Sequence, residues 1–520
     1  MKKIIFPLSV AVILILVVAF FLADVSGRDA QRAGNAANLR EYWPEDGWRT
    51  SPPEEQGMDS GKLADMIDSV RESGKNVSSI TVIRHGYLVN ETYFYPYQKG
   101  IKYFMNSCTK SVVSAFVGMA IDSGRIISVD DRVPDYFTDT GIPEADGRKR
   151  DLKVRNLLTM TTGLDWDFIT NASTNEMLQS RDWTRFTLSR PMKEEPGRTF
   201  LYCNGASHLL SAMVQKTTGQ SLAELVLEKF APMGIRDIYW SAAPENVSNG
   251  YTGLYMKPED AAKFGYLYLN KGNWNGTQLI SEKWVEESTQ KHVKADWTPL
   301  FPGYGYLWWV PRFGGYAAMG QGGDYIFVVP GSDLVVVFTG GLYSVGDLFY
   351  PAELMEKYIL PSAKSHVPLK TNPGAMEALN KALDMAQQAP SPEAAGALPE
   401  VAREISGKPF AMDDSTTIAL RFGEGSECVI EQDSRAVFSV VLDNVYRIVD
   451  SGTLFGESML DRIHLALKGR WLDERTLELT FKELEEGFEM QYVARLENDR
   501  MEVRITSNIY PERNVTGKLN

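Results

Sequence analysis

Apolar and polar positions alternate between helical and strand spacing in the first part of the chain. Apolar residues recur at helical spacing over Gly61–Ser73 and again from about Ser107 to Ser123. Between these stretches, Ser79–Arg84 and Tyr87–Tyr93 have the pattern of two strands joined by a short turn. This part of the chain therefore predicts a helix, a β-hairpin and a second helix.

The pattern is mainly helical over residues 150–290, and strand patterns return after residue 300. The predicted helices are Val154–Met160, Gly205–Thr218, Ser221–Ala231, Lys257–Asn270, Ser281–Gln290 and a closing helix Ala352–Ile359; the predicted strands are Gly305–Val310, Ala317–Met319, Tyr325–Val329 and Leu334–Thr339. Strands at both ends with helices between them predict one sheet built from distant pieces, an α+β fold with an inserted helical lobe.

The last third of the chain changes in composition. Prolines from about Pro361 to Pro399 surround one helical pattern, Ala375–Gln388, which predicts a linker containing a helix. Residues 403–520 alternate apolar and polar positions and predict an antiparallel β-barrel or sandwich. The predicted segments are 1–29 as signal peptide or membrane anchor, 30–57 as tether, 58–362 as the α+β domain, 363–402 as linker and 403–520 as the β domain.

The N-terminal segment has the features of an export signal. Lys2 and Lys3 precede an apolar run, Ile4–Ala23, which at about 1.5 Å per residue reaches the ~30 Å thickness of a bilayer core. This length favours an uncleaved anchor, which would bind the chain to a membrane, over a cleaved signal peptide; both remain open. Either leaves the body extracytoplasmic, because positive flanks stay inside.

Composition excludes several classes of protein. The net charge is −13 and no long basic run is present, so nucleic acid is a poor partner. Three cysteines cannot form a disulfide framework. The five histidines are scattered without metal-ligand spacing, and we expect no metal or other cofactor. A Gly-x-Ser-x-Gly nucleophile elbow is absent from the sequence, which disfavours an α/β-hydrolase.

Candidate chemistry begins with Ser107-x-x-Lys110 at the start of a predicted helix. The i, i+3 spacing puts both side chains on one helix face. The helix N-terminus favours a developing oxyanion, and a lysine with a lowered pKa can take the proton of a serine hydroxyl. On these residues alone, Ser107 as a simple helix cap remains an alternative.

Two later clusters fit a nucleophilic serine. Tyr202-Cys203-Asn204 offers a phenol that can relay a proton and an amide that can hold substrate. Gln321-Gly322-Gly323-Asp324 offers a glycine-rich strand edge whose N–H can complete an oxyanion hole. Each cluster alone also fits a structural interpretation, as a core aromatic and as a bend.

In this order the three motifs resemble the serine β-lactamase and penicillin-binding (DD-peptidase) superfamily, and its class C-like branch with esterases and 6-aminohexanoate-dimer hydrolase in particular. The stretches Leu157–Trp166, Gly253–Gly265 and Tyr304–Trp309 resemble that branch too. The resemblance covers about residues 45–360. It implies an antiparallel sheet flanked by helices with an inserted helical lobe, while the C-terminal region weakly resembles a lipocalin-like barrel.

The resemblance implies a role for each matching residue. Ser107 is the acylated nucleophile, Lys110 its general base, and Tyr202 shares the proton and later activates water. Asn204 orients the substrate, and Gln321, Gly323 and Asp324 are further substrate-binding positions. The backbone N–H groups of Ser107 and Asp324 form the oxyanion hole.

The sequence departs from that superfamily at Gln321. β-Lactamases and DD-peptidases have a lysine or histidine there. A neutral glutamine cannot make a charge-assisted hydrogen bond, so it stabilises a bound substrate carboxylate by about 1–2 kcal/mol less. We therefore expect a small neutral ester or amide as substrate, hydrolysed through an acyl-enzyme. A β-lactamase or DD-peptidase and a non-catalytic envelope protein that binds a ligand remain alternatives.

Two groups of side chains adjoin the motifs. Four tryptophans are candidates either for an apolar acyl pocket or for core packing: Trp166, Trp183, Trp308 and Trp309. Cys108 and Cys203 each neighbour a motif residue, and we expect them to pack as small hydrophobic side chains.

Overall fold

The computed structural model describes residues 40–140, 147–295, 297–394, 397–423, 426–451, 463–497 and 499–519. The predicted anchor lies outside these ranges. Within them, none of the helices combines the length and the apolar character that crossing a bilayer requires.

An eight-stranded antiparallel sheet forms the centre of the first fold unit. Its order is β2-β1-β13-β12-β11-β10-β9-β8, so the N-terminal hairpin pairs with a strand about 250 residues later in the sequence, as in β1 Ile80 opposite β13 Phe338. Its strands are β1 (Val77–Arg84), β2 (Tyr87–Tyr93), β8 (Val293–Lys294), β9 (Gly303–Tyr304), β10 (Trp309–Val310), β11 (Tyr316–Gly320), β12 (Asp324–Val329) and β13 (Leu334–Gly340). The predicted sheet from distant pieces is confirmed.

Helices cover this sheet and form the lobe between its two halves. They are α1 (Ser60–Ser73), α2 (Thr109–Asp122), α3 (Val154–Leu158), α4 (Ala172–Gln179), α5 (Trp183–Ser189), α6 (Asn204–Thr218), α7 (Leu222–Lys229), α8 (Pro258–Leu269), α9 (Glu282–Thr289), α10 (Tyr350–Leu354) and α11 (Pro373–Gln387). The following helix, α12 (Glu400–Ile405), packs on the C-terminal strands instead. Small sheets pair β3 (Tyr103–Phe104), β4 (Tyr239–Trp240) and β5 (Leu254–Met256), and β6 (Asn273–Trp274) with β7 (Thr277–Gln278). The predicted α+β class is confirmed.

The predicted single strand Gly305–Val310 is wrong. The chain makes a tight turn there between β9 and β10, with Leu307 at φ +62°. The backbone N–H of Leu307 donates to the carbonyl of Leu158, and the N–H of Gly305 donates to that of Trp308. The apolar run is therefore a turn held against α3, and its hydrophobicity reflects burial.

The segments predicted as tether and linker both contain residues that pack on the sheet domain. Arg40 makes a two-pronged ion pair with Asp333, and Trp43 lies 5.1 Å from Trp274 between ring centroids, so the described part of the predicted tether is docked. In the predicted linker, α11 buries Leu379, Ala382 and Ala386 against the main core, as its apolar stripe requires.

The C-terminal region forms a nearly closed antiparallel barrel of ten strands. The order is β17-β16-β15-β14-β23-β22-β21-β20-β19-β18, and Phe438 of β17 packs on Phe481 of β20 at 5.4 Å. The strands are β14 (Pro409–Met412), β15 (Thr417–Phe422), β16 (Glu427–Gln432), β17 (Arg435–Val441), β18 (Arg447–Ser451), β19 (Ile463–Asp473), β20 (Thr476–Glu483), β21 (Phe488–Glu497), β22 (Arg500–Ser507) and β23 (Arg513–Leu519). The predicted C-terminal barrel is confirmed.

Candidate active site

The chain presents Ser107 in a sharp turn between β3 and α2. Asn106–Cys108 form a short 3₁₀ segment, and Asn106 has φ +44°, a left-handed conformation that asparagine tolerates. The side-chain amide of Asn106 donates to Oδ2 of Asp324 at 2.8 Å, which fastens this turn to β12. The turn leaves Ser107 partly exposed at the start of α2.

Lys110 lies directly beside the Ser107 hydroxyl. Its Nζ is 2.9 Å from Ser107 Oγ and donates to the carbonyl of Tyr251, also at 2.9 Å. The side chain is 1% exposed, and burial lowers its pKa well below the ordinary lysine value, with the Cys203 and Cys108 thiols opposing this only in part. A buried amine of this kind is available in its neutral form, as a general base must be.

Tyr202 completes the group of proton-carrying side chains. Lys110 Nζ lies 4.7 Å from the centroid of the Tyr202 ring. Burial raises the pKa of Tyr202, and a hydrogen bond with the Ser107 hydroxyl opposes this only in part. The phenol therefore carries its proton at neutral pH and can donate it.

The side-chain amide of Asn204, the first residue of α6, has a hydrogen-bond partner for only one of its two polar atoms. Its Nδ2 donates to Thr174 Oγ1 at 3.1 Å, while its Oδ1 has no hydrogen-bond partner among the described residues. The residue is 8% exposed, and a buried acceptor without a partner is costly. A substrate N–H would satisfy it.

The glycine-rich cluster contributes backbone more than side chains. A Cβ on Gly320 would lie 2.8 Å from Asn106 Cβ and 3.1 Å from Ser107 N, so the end of β11 touches the serine turn. Gln321 is exposed, and Gly323 is buried against Leu342. Sequence reasoning missed Gly320, although it lies directly between the predicted strand Ala317–Met319 and the triplet.

The side chain of Asp324 braces the serine turn, whereas its predicted part in the oxyanion hole concerns its backbone N–H. Its Oδ2 accepts from Asn106, and its Oδ1 accepts from the Gly340 N–H at 3.2 Å. Burial raises the pKa of this carboxyl well above its usual value, and the hydrogen bonds from Asn106 and Gly340 oppose this only in part. The side chain is a structural brace behind the serine turn, and Gly320 faces Asp324 across the hairpin.

Aromatic rings form one wall beside Tyr202. Trp309 stacks on Tyr202 at 6.0 Å, Phe168 lies 4.9 Å away, and Trp297 lies 6.2 Å away with 43% of its surface exposed. Among the predicted tryptophans, Trp309 belongs to this wall. The other three pack elsewhere: Trp308 on Phe264, Trp183 on His208 and Trp166 on Phe186.

Trp297 was missed because its loop has neither a helical nor a strand pattern. The two cysteines behave as predicted: Cys108 and Cys203 are free and buried. Burial raises the pKa of the Cys203 thiol to about 12, so it is protonated at neutral pH.

Comparison with known proteins shows which protein family the chain matches. The profile of the family described as Beta-lactamase matches residues 63–347. An uncharacterised protein of Alkalihalophilus pseudofirmus is 24% identical over 53% of this chain and 89% of its own length. The 6-aminohexanoate-dimer hydrolase of Paenarthrobacter ureafaciens is 24% identical over 53% of this chain and 75% of its own length.

Among solved structures, a penicillin-binding protein homologue from Caulobacter crescentus superimposes with a TM-score of 0.46. It is 14% identical and covers 58% of this chain and 97% of its own length.

Proposed function

Because the chain belongs to the beta-lactamase family, whose profile covers more than half of it, we propose that it is a serine hydrolase acting through an acyl-enzyme on a neutral ester or amide. The superfamily identified from the three motifs is thereby confirmed. The observation that carries the proposal is the 2.9 Å approach of the buried Lys110 amine to Ser107 Oγ.

Acylation follows from this geometry. Ser107 Oγ attacks the substrate carbonyl carbon while neutral Lys110 takes the hydroxyl proton. The bond to the leaving group then breaks, and the proton passes to the leaving oxygen or nitrogen, with Tyr202 in position to deliver it. The acyl group remains as an ester on Ser107.

Deacylation uses the same groups in reverse. A water molecule attacks the ester carbonyl, and the Tyr202 hydroxyl takes the proton of the water as it passes its own proton to the neutral Lys110 amine. The Ser107 Oγ–carbon bond breaks and the serine recovers its proton. The carboxylic acid leaves, and the side chains return to their starting protonation states.

The oxyanion hole is formed by two backbone N–H groups at the serine turn. Ser107 N is one donor, at the start of α2. Gly320 approaches this nitrogen most closely in the glycine-rich cluster, so we assign the second donor to the next peptide N–H, that of Gln321, in place of Asp324.

The surroundings of the serine favour a neutral substrate with an apolar part. The exposed Gln321 offers no charge to a substrate carboxylate. The wall of Trp309, Trp297 and Phe168 offers apolar surface next to Tyr202. The 6-aminohexanoate-dimer hydrolase relative is consistent with an amide as one candidate bond. We place the reaction outside the cytoplasm, on the basis of the N-terminal sequence alone.

The proposal is tested by intact-mass spectrometry after a fluorophosphonate probe. We expect one adduct on the wild-type chain and none on Ser107→Ala or Lys110→Ala. Ser114→Ala is the matched control, since this buried hydroxyl on α2 has no hydrogen-bond partner among the described residues and should label normally. A folded wild type without an adduct would contradict the serine hydrolase proposal.

A fluorescent penicillin distinguishes the proposed ester or amide hydrolase from a β-lactamase, the nearest alternative function. Stable turnover of the penicillin at Ser107, faster than turnover of a neutral ester, would favour a β-lactamase. We expect the neutral ester to react faster, because Gln321 gives the penicillin carboxylate no ionic partner.

A further inference from the structure

The C-terminal barrel encloses a cavity of about 370 Å³, separate from the serine site. Its wall is mainly apolar and comes from strands on opposite sides of the barrel. Among the lining residues are Leu420, Phe438, Leu479, Phe481, Ala494 and Ile505. This volume lies within the ~300–1,000 Å³ range of small-molecule sites.

Polar lining residues gather at one end of the cavity. Asp414 and Thr416 lie in the turn between β14 and β15, Gln432 ends β16, and Arg513 begins β23. The register places these positions together, since Met412 pairs with Gly517 and Ile418 with Gln432. The cavity is therefore amphipathic, with a long apolar interior and one polar end.

The two charged groups at the polar end of the cavity differ in the hydrogen bonds that they already make. Asp414 accepts hydrogen bonds from the N–H and hydroxyl of Thr416, which hold the pKa of its carboxyl below the usual value. Arg513 is exposed at the end of the wall, within electrostatic range of Asp414 and Tyr492. The guanidinium can therefore serve an anionic group arriving from outside.

We propose that the barrel binds one medium- or long-chain aliphatic carboxylate, with its chain among Leu479, Phe481 and Ala494 and its head at Arg513. Burial of methylene groups supplies the affinity, and the cation at the rim fixes the direction of entry. Water is a poor occupant of an apolar cavity of this kind, because a buried water molecule needs several polar partners.

The polar end of the cavity is also the end that touches the sheet domain. Ser507 ends β22 opposite Met490, and Ile505 pairs with Arg513, so the β20–β21 hairpin and Arg513 share one end of the barrel. Within this hairpin, the carbonyl of Glu485 accepts from the Phe104 N–H, just ahead of the serine turn. The carboxylate of the bound ligand would thus lie at the end of the barrel that contacts the sheet domain.

The test is calorimetric titration of the full chain with octanoate, decanoate and dodecanoate. Each added methylene should strengthen binding by about fourfold until the cavity is full. Ala494→Trp fills the cavity and should abolish binding of dodecanoate while the chain keeps its thermal transition. Arg513→Gln should weaken binding about threefold, as for an exposed charge, and it does not disturb the interior.

Two controls make the result decisive. Arg475→Gln removes an exposed arginine in the β19–β20 turn, at the opposite end of the barrel, and should leave binding unchanged. Dodecyltrimethylammonium has the same chain with a cationic head and should bind more weakly than dodecanoate. Absence of dodecanoate binding, equal binding by Arg513→Gln, or tighter binding of the cationic amphiphile would overturn the proposal.

Discussion

At the scale of single residues, the position of the serine turn depends on close contacts that leave no space for an additional side-chain atom. Asn106 adopts a left-handed conformation and donates a hydrogen bond to Asp324, while Gly320 lies against the Ser107 nitrogen. These three residues fix where Ser107 stands relative to Lys110. The site is therefore sensitive to small displacements of the turn.

Gly320→Ala should reduce kcat/KM about 100-fold with the fold retained. Its new Cβ would meet Asn106 Cβ at 2.8 Å and Met105 O at 2.9 Å, and a shift of the nucleophile by about 1 Å has this effect. Gly331→Ala is the control, because a Cβ there meets no atom of the described residues within 4 Å. Full activity in Gly320→Ala would show that β11 does not set the serine position.

The protonation of Lys110 should appear in the pH–rate profile. Only the neutral amine accepts the serine proton, so kcat/KM should rise with pH as Lys110 deprotonates. Burial lowers the pKa of Lys110 well below 10.5, so this rise should be complete well below that pH. Kinetics with a neutral ester from pH 4 to 10 measure it; a kcat/KM that still rises steeply up to pH 10 would show an unperturbed lysine.

At the scale of elements, α2 must pack closely to place Ser107 and Lys110 under the sheet. Gly118 lies where α2 meets α9, and a Cβ there would reach atoms of the Trp284 ring within 2.5 Å. The helix spacing that predicts α2 also predicts its buried face, but not which partner crosses it. Gly118 is a packing requirement that periodicity does not reveal.

Gly118→Ala should lower the stability of the sheet domain by about 1–3 kcal/mol, as overpacking does. The control is Gly374→Ala in the first turn of α11, where the nearest atom to a Cβ is Asn372 Oδ1 at 3.9 Å. That change should be neutral or stabilise by about 0.4–1 kcal/mol. Thermal midpoints of both variants give the comparison, and equal midpoints would contradict the close α2–α9 contact.

At the scale of the whole molecule, the barrel joins the sheet domain through the β20–β21 hairpin. The side chain of Glu486 accepts from the Tyr255 hydroxyl at 2.6 Å, and Asn76 Nδ2 donates to the Gly487 carbonyl at 2.9 Å. Burial and the neighbouring Glu486 and Glu485 raise the pKa of Glu483 to about 8. The junction therefore contains a carboxyl that is protonated at neutral pH.

Glu483 should make stability depend on pH. The folded state keeps its proton between about pH 4.5 and 8 while the unfolded state loses it, so stability falls as pH rises through this range. Glu483→Gln should flatten this fall in thermal midpoints, whereas Glu474→Gln, in an exposed turn, should not. The same slope in wild type and Glu483→Gln would exclude Glu483 as its source.

The sequence by itself determined what depends on neighbours along the chain. Helix and strand spacing gave α2, β1, β2 and the barrel strands, and the i, i+3 spacing of Ser107 and Lys110 carried over into a 2.9 Å contact. The order of the three motifs identified the superfamily. The helices, the strands and the Ser107–Lys110 contact arise from local geometry, so a linear pattern is enough to predict them, whereas the superfamily came from the resemblance of the ordered motifs.

Only the tertiary structure decided how distant segments meet. The bracing role of Asp324, the approach of Gly320 to Ser107, the aromatic wall with Trp297 and the docking of Arg40 all need partners far away in sequence. Burial then determines the pKa of Lys110 and Asp324, and it is a property of the packed molecule. A pattern along the chain specifies which face of an element is apolar, whereas three-dimensional packing selects the residues that face meets.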